Sequence, residues 1–430
     1  MICQKYYALL DSLEKSEDTF HTIFDAISIE AHQYQTKVVN YDYLEASIIS
    51  LSVSLSDIRR KLNKTKLKAY RWYELTVGSN SDTGVLSEMS RNLISDNHEK
   101  ISLTKIRLIK KKTKLHNELS KTYRLENIAN YENCITNKQK ISQLIPEIPE
   151  KDFYIKVKNV GQGSCNSFCK LRISDSDNVA RPEEFLYLAC GGGITANQKT
   201  YPNDVDFSPQ NDALNILCHW DMDHWVSAEH KPELKNKVNW LVPNQSPIGM
   251  SHLKLANELS KNNRLFIWPS ALSSASTDLL DIHKLKSHKN RNYSGLVIIA
   301  KSCANSSGKD FFYSGDAAFK HCSSFIDKYN LRIITVPHHG GKMPKKAIPR
   351  APNQHLIVCS YGEDNTFGHP YENSKNTDLN TKNRYKAQGW TYWKATTGGS
   401  INIYPSSIKT KHLNEIDFMT SIFSIQREFI

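Results

Sequence analysis

Four apolar runs of β character in the second half of the chain each end on histidine or aspartate. They are ALNILCHWDMDH (213–224), DFFYSGD (310–316), LRIITVPHH (331–339) and HLIVCSYGEDNTFGHP (355–370). Ending buried strands on such groups is costly unless the polar side chains share a task. Loops at strand ends can aim several side chains at one point, so the pattern calls for a fold in which these four ends converge. Further runs of the same kind, FYIKVKNV, EFLYLAC, GLVIIA and TYWKAT, alternate with glycine loops and with helical stretches such as SHLKLANELSKNN. This texture predicts an α/β domain over 153–430.

The densest of the four ends, H-x-D-x-D-H at 219–224, carries His219, Asp221, Asp223 and His224. His219 and Asp221 project to one side of an extended turn, whereas the adjacent Asp223 and His224 diverge. Two metal ions, each taking part of the motif, accommodate that divergence. Asp316, His338, His339 and His369 stand at the ends of the other three runs as further candidate ligands or catalytic groups.

Residues 1–145 read differently. No proline precedes Pro146, and Leu44, Ile48, Leu51, Leu55, Ile58 and Leu62 follow alternating steps of four and three. That spacing predicts a coiled-coil-like helix. Leu86, Met89 and Leu93, then Leu108, Leu115 and Leu119, extend helical spacing beyond the loop at 77–84. The expectation is a helical hairpin or small bundle that serves self-association or recruitment of a protein partner and adds little to the chemistry. Two basic stretches, 59–71 and 105–114, are solvated faces or phosphate-binding surfaces. The segment 146–152, LIPEIPEKD with its flanks, reads as a linker.

A net charge of +12 favours polyanionic partners such as nucleic acid. No run of about 18 apolar residues suggests a membrane span. The N-terminus reaches acidic residues too early for a secretory signal. Nine cysteines without a CxxC pair suit a reducing cytoplasm.

The ordered set VGQG, LxxGGG, HxDxDH, NxSxLV, SGDA, VPHHG and SxGxxNxxGHP, running from Asn159 to the GGSINIY segment at 398–404, resembles the metallo-β-lactamase fold in its ComEC-type branch from DNA-uptake proteins. The resemblance covers nearly all of the second half and none of the first 145 residues, and no segment reads as the membrane channel of those proteins. It implies an αββα sandwich with a dinuclear centre. His219 and Asp221 would serve the first metal, Asp223 and His224 the second. Asp316 would bridge both, and one of His338 and His339 would complete the second site. His369 would assist a leaving group or contact phosphate, Asn365 would hold that loop and touch substrate, and Gln162 and Gly163 would form the turn beneath the metals. Departures from the pattern are Asn159 and Ser164 in place of carboxylates, Cys190 in place of aspartate, and Val226 and Ser227 in place of glycines. The additional first-site histidine of the wider fold has no clear counterpart among His252, His283 and His288.

Two divalent cations about 3.5–4 Å apart can activate water and neutralise charge on a phosphoryl oxygen. An oxygen-rich ligand set suits Zn²⁺ or Mn²⁺, and Mg²⁺ as well. The resulting expectation is a cytoplasmic metal-dependent phosphodiesterase or nuclease, recruited by a partner in a setting such as phage defence. The alternatives are a hydrolase of a small ester, amide or nucleotide, and a non-catalytic signalling module.

Overall fold

The computed structural model describes residues 3–15, 20–35, 48–63, 66–78, 84–90, 99–147, 153–173, 180–246, 248–301, 310–342, 348–353, 355–373 and 375–403. Its first part is a closed six-stranded barrel, not a helical hairpin. The strands are β1 (Gln4–Lys15), β2 (Phe20–Ser28), β3 (Ile48–Ser54), β4 (Trp72–Gly78), β5 (Val85–Ser90) and β6 (Glu99–Leu108). They close in the order β1-β2-β3-β5-β6-β4, with every neighbouring pair antiparallel. Alternate residues fill the interior: Tyr6, Ala8 and Leu10 from β1, Ile49, Leu51 and Val53 from β3, and Tyr73, Leu75 and Val77 from β4. Closure leaves no unpaired edge.

The expected heptad helix dissolves into this barrel. Leu44 lies outside the described residues, Ile48 and Leu51 sit on β3, and only Leu55, Ile58 and Leu62 are helical, in the short helix Leu55–Leu62. Its start is fixed by Ser54, whose hydroxyl accepts from the Asp57 amide. The same stretch carries a period of two, Ile49-Leu51-Val53 against Ser50-Ser52-Ser54, and tertiary pairing selects that period. Leu86 and Met89 lie on β5 and Leu108 on β6, while Leu93 is outside the described residues. Helices follow the barrel at Lys114–Thr122, which carries Leu115 and Leu119, and at Lys138–Leu144. Within the basic stretches, Lys110, Lys111, Lys112 and Lys114 are exposed, and Arg107 pairs with Glu74 at 2.5 Å. Most of the expected linker, from 148 on, is outside the described residues.

Two seven-stranded sheets form the remainder. The first runs β12 (Leu265–Trp268), β11 (Asn239–Pro243), β10 (Pro209–Ile216), β9 (Ala180–Cys190), β8 (Cys165–Ile173), β7 (Phe153–Val157) and β20 (Ile401–Ile403). The second runs β13 (Ser274–Ser276), β14 (Leu280–Lys284), β15 (Leu296–Ala300), β16 (Asp310–Tyr313), β17 (Leu331–Thr335), β18 (Leu356–Cys359) and β19 (Trp393–Ala395). Leu186, Leu188, Leu214 and Ile216 from the first sheet and Ile282, Ile298, Phe311 and Val358 from the second share one core. The expected α/β class, an αββα sandwich behind a helical hairpin, is therefore corrected: strands in a barrel and two sheets carry the architecture.

Two relationships position the site. Strands β16, β17 and β18 are mutually parallel, so their C-terminal ends and following loops gather on one edge. The barrel also shares a core with the first sheet, where Leu9, Ile23, Ile27 and Trp72 cluster with Trp220, Trp225, Met250 and Leu253. The backbone amide and hydroxyl of Ser251 both donate to Asp25, each at 2.9 Å. Among the described residues no helix is long and apolar enough to cross a membrane.

Candidate metal centre

The H-x-D-x-D-H loop leaves β10 through Leu217 and Cys218, and its placement is over-determined. The Cys218 carbonyl accepts from the Leu296 amide of the opposite sheet at 2.8 Å. The Asp223 carbonyl accepts from the Ser164 and Gly192 amides at 3.1 and 3.2 Å. Glycine is needed at position 191, since a Cβ there would lie 1.7 Å from the same carbonyl oxygen. The VGQG and GGG segments thus act as a mould for the ligand loop. Gly315, at φ 56°, packs its backbone against Cys218 and His219 and delivers Asp316 into the same space.

Within this space the side chains divide into two groups around Asp316. Its Oδ1 lies 2.9 Å from His224 Nε2 and 3.7 Å from His339 Nε2. Asp223 joins that side, with Oδ2 3.2 Å from His339 Nε2 and Oδ1 3.8 Å from His224 Nε2. Asp316 Oδ2 faces the other way, 3.6 Å from both His219 Nε2 and His338 Nε2. Asp221 Oδ2 is 3.4 Å from His219 Nε2. Asp223, His224 and His339 could hold one ion, and His219, Asp221 and Asp316 another.

The donor chemistry fits divalent cations. His219 Nε2 and His339 Nε2 are buried without a hydrogen bond, a condition that native interiors avoid unless another partner is available. His339 Nδ1 donates to the Ser360 carbonyl at 2.9 Å, which turns the Nε2 lone pair inward. Cys218 Sγ lies 3.2 Å from Nδ1 of both His219 and His224 and holds the two rings from behind. Burial alone would raise this thiol, but His224 and His219 draw it down to about 6. Burial opposes charge on His219 and His224 too, yet the Cys218 sulfur and nearby carboxylates hold both well above the usual imidazole value. Asp316 is held well below the carboxylate range, because His224, His338 and His219 outweigh its burial.

His369 lines the same hollow with Asp221, Asp223, Asp316 and His338. The Gln162 amide nitrogen lies 3.1 Å from its Nδ1, and the Gln162 carbonyl oxygen accepts from the Gly362 amide. This orientation makes Gln162 the donor and leaves the imidazole proton on Nε2. Asn365 holds the loop rather than facing the hollow: it accepts from the His369 amide at 3.0 Å and donates to the carbonyls of His369 and Gly362.

Other residues assort as follows. His252 is buried between Asp11 and Asp25, His283 stacks on Phe325, and His288 packs beside Tyr293, so none reaches the centre. In their stead Asn292, of the NxSxLV segment, donates from Nδ2 to Asp316 Oδ2 at 3.1 Å. Arg291 reaches Asp221 Oδ1 at 2.9 Å. The motif could have pointed to Asn292; nothing in the sequence marked Arg291. Cys190 lies outside the ligand groups, and burial pushes its thiol well above the ordinary value.

No family model and no curated protein sequence matches the chain. Among solved structures, CmlA, a diiron β-hydroxylase from Streptomyces venezuelae, aligns at 11% identity over 76% of this chain and 55% of its own, with a TM-score of 0.28. A point variant of the same hydroxylase aligns at 10% identity over 76% and 56%, with a TM-score of 0.29. The chain spans little more than half the length of either, and superposition this loose fixes neither fold nor chemistry.

Proposed function

We propose that this protein is a metal-dependent hydrolase with a dinuclear centre, and that it cleaves phosphodiesters, most naturally those of nucleic acid. The observation that carries the reading is the division of the Asp316 carboxylate between two ligand groups, each with a buried imidazole nitrogen that faces carboxylates and makes no hydrogen bond. When bound, two divalent ions supply water activation and charge neutralisation at a phosphoryl oxygen. Zn²⁺ and Mn²⁺ suit the mixed nitrogen and oxygen donors, with Mg²⁺ a harder alternative.

The chain's own groups supply the rest. Asp316 stays ionised among its histidines. His369 lines the hollow and would orient a phosphoryl oxygen or hand a proton to the departing oxygen. The resemblance of the ordered motifs to ComEC-type hydrolases and the charge of +12 both support a polyanionic substrate. A small phosphoester, ester or amide is the alternative substrate, since the same dinuclear chemistry serves several ester classes. The test is incubation of the purified chain with linear and circular DNA, single-stranded DNA, RNA and small phosphodiesters across a metal panel. Cleavage by the wild type and its loss in Asp316→Asn support the reading; no turnover with any metal overturns it.

A further inference from the structure

We infer that the barrel is part of the metal centre: Asp11 and Tyr70 are positioning residues that set the two carboxylates of the first metal position, Asp221 and Asp316. The inference rests on the metal-centre reading above.

The backbone supplies the first observation. The pairing of β1 with β2 slips between Leu10 and Ser12, leaving Asp11 as the extra residue of a β-bulge. Bulges re-aim a side chain that regular alternation would place elsewhere. Tyr70, just before β4, has φ 57°, a left-handed conformation sterically disfavoured for an aromatic residue. The two irregularities are joined, since the Tyr70 amide donates to the Leu10 carbonyl at 2.7 Å and the Leu10 amide to the Arg71 carbonyl at 3.0 Å. Both point toward the metal centre, the pattern expected where backbone strain serves a site.

The side chains give the second. Arg291, buried, bonds through Nη2 to Asp11 Oδ1 and lies 2.9 Å from Asp221 Oδ1. One guanidinium is thereby shared between a barrel carboxylate and a candidate ligand. This commits one oxygen of Asp221 to Arg291, while the other lies 3.4 Å from His219 Nε2 and 3.3 Å from the Tyr70 hydroxyl. Tyr70 donates its hydroxyl to Asn292 Oδ1 at 2.7 Å, and Asn292 in turn donates to Asp316 Oδ2 at 3.1 Å. The Tyr70 ring also carries the guanidinium at 4.6 Å. Two relays therefore run from the barrel, Asp11–Arg291–Asp221 and Tyr70–Asn292–Asp316, with the Tyr70 hydroxyl also 3.3 Å from Asp221 Oδ2, and each ends on a carboxylate of the first group. Without Asp11 the buried guanidinium has only Asp221 to neutralise it and competes with the metal for that carboxylate.

Equilibrium titration of the metal-free full-length chain with Mn²⁺ tests this, with thermal melting as the check on folding. Asp11→Asn and Tyr70→Phe each keep the side-chain shape. Either should weaken one of the two binding steps by ~10–100-fold, as loss of an outer partner commonly does, while the other step holds. The melting temperature should hold in Tyr70→Phe and fall in Asp11→Asn, which leaves the buried Arg291 with one carboxylate fewer. Asp11→Glu, which restores the charge, should recover part of the loss. Two steps unchanged in both variants, or two steps weakened together with a fallen melting temperature, overturn the inference and leave the metal centre standing. A wild-type chain that takes up no Mn²⁺ overturns the metal-centre reading and this inference with it.

Discussion

His338 and His339 are adjacent, both left-handed at φ 54° and 51°, and their Nε2 atoms approach opposite oxygens of Asp316, at 3.6 and 3.7 Å. Such a backbone costs an L-residue roughly 1–2 kcal/mol each, so the strain is retained for what the two imidazoles face. His338→Gly should therefore cost no stability in thermal melts, in contrast to glycine at ordinary positions, whereas His339→Gly also removes a buried ring and its hydrogen bond to Ser360 and should destabilise. His339→Gly should remove one bound metal, since His339 belongs to the Asp223–His224 group, while His338→Gly should keep both. Clear destabilisation by His338→Gly would show that the conformation is not strained.

Catalysis should divide along the same geometry. Asp316→Asn keeps the shape and loses the charge shared by both groups, a change expected to lower the rate roughly a thousandfold. His369→Ala should be milder, because His369 belongs to neither ligand group. Phosphodiester cleavage should weaken steeply as salt rises if the substrate is a polyanion held by basic surface. A flat salt profile with the same mutant ranking would favour a small-molecule substrate.

The site was more legible in the sequence than the fold around it. His219, Asp221, Asp223 and His224 lie within six positions, and Asp316, His338, His339 and His369 each close an apolar run, so local pattern carried their convergence. The barrel was hidden by an ambiguity of period. Leu51, Leu55 and Ile58 satisfy a helical step, while Ile49, Leu51 and Val53 satisfy a strand step, and only closure with β2 and β5 decides between them. Arg291 and Asp11 are far apart in sequence and belong to no motif, and their meeting depends on a bulge that no pattern announces.

The shared core bears on how the chain can be divided. A fragment beginning at residue 110 would expose Trp220 and Trp225 and would leave Arg291 without Asp11. Removing one partner of a buried ion pair typically costs about 3–5 kcal/mol. The fragment should be insoluble or lack a cooperative melt, as circular dichroism would show. A soluble fragment with an intact melt and full metal content would mean that the barrel is dispensable.

Away from the centre, Lys158 and Glu184 form a buried ion pair at 2.5 Å, supported on Glu184 by Ser167, Tyr187 and the Ser208 amide. Burial would raise the Glu184 carboxyl, but Lys158 outweighs it and holds the group below its usual value. A depressed carboxyl stabilises the fold above its unfolded value, about 4.3, and the contribution fades as pH falls through the lower folded value. Glu184→Gln should lower stability by about 3 kcal/mol or more at neutral pH, with the deficit shrinking in acid. Denaturant melts between neutral and acidic pH check both, and a deficit that grows in acid would contradict the assigned sign.

The most direct measurement is crystallographic. Crystals grown or soaked with Mn²⁺ or Zn²⁺ and measured at the metal's absorption edge locate each ion independently of the protein density. Two anomalous peaks about 3.5–4 Å apart are expected, one between Asp223, His224 and His339 and the other beside His219 and Asp221, with an oxygen of Asp316 on each. A single peak, or two peaks with Asp316 bound to neither or only one, would contradict a dinuclear centre bridged by Asp316.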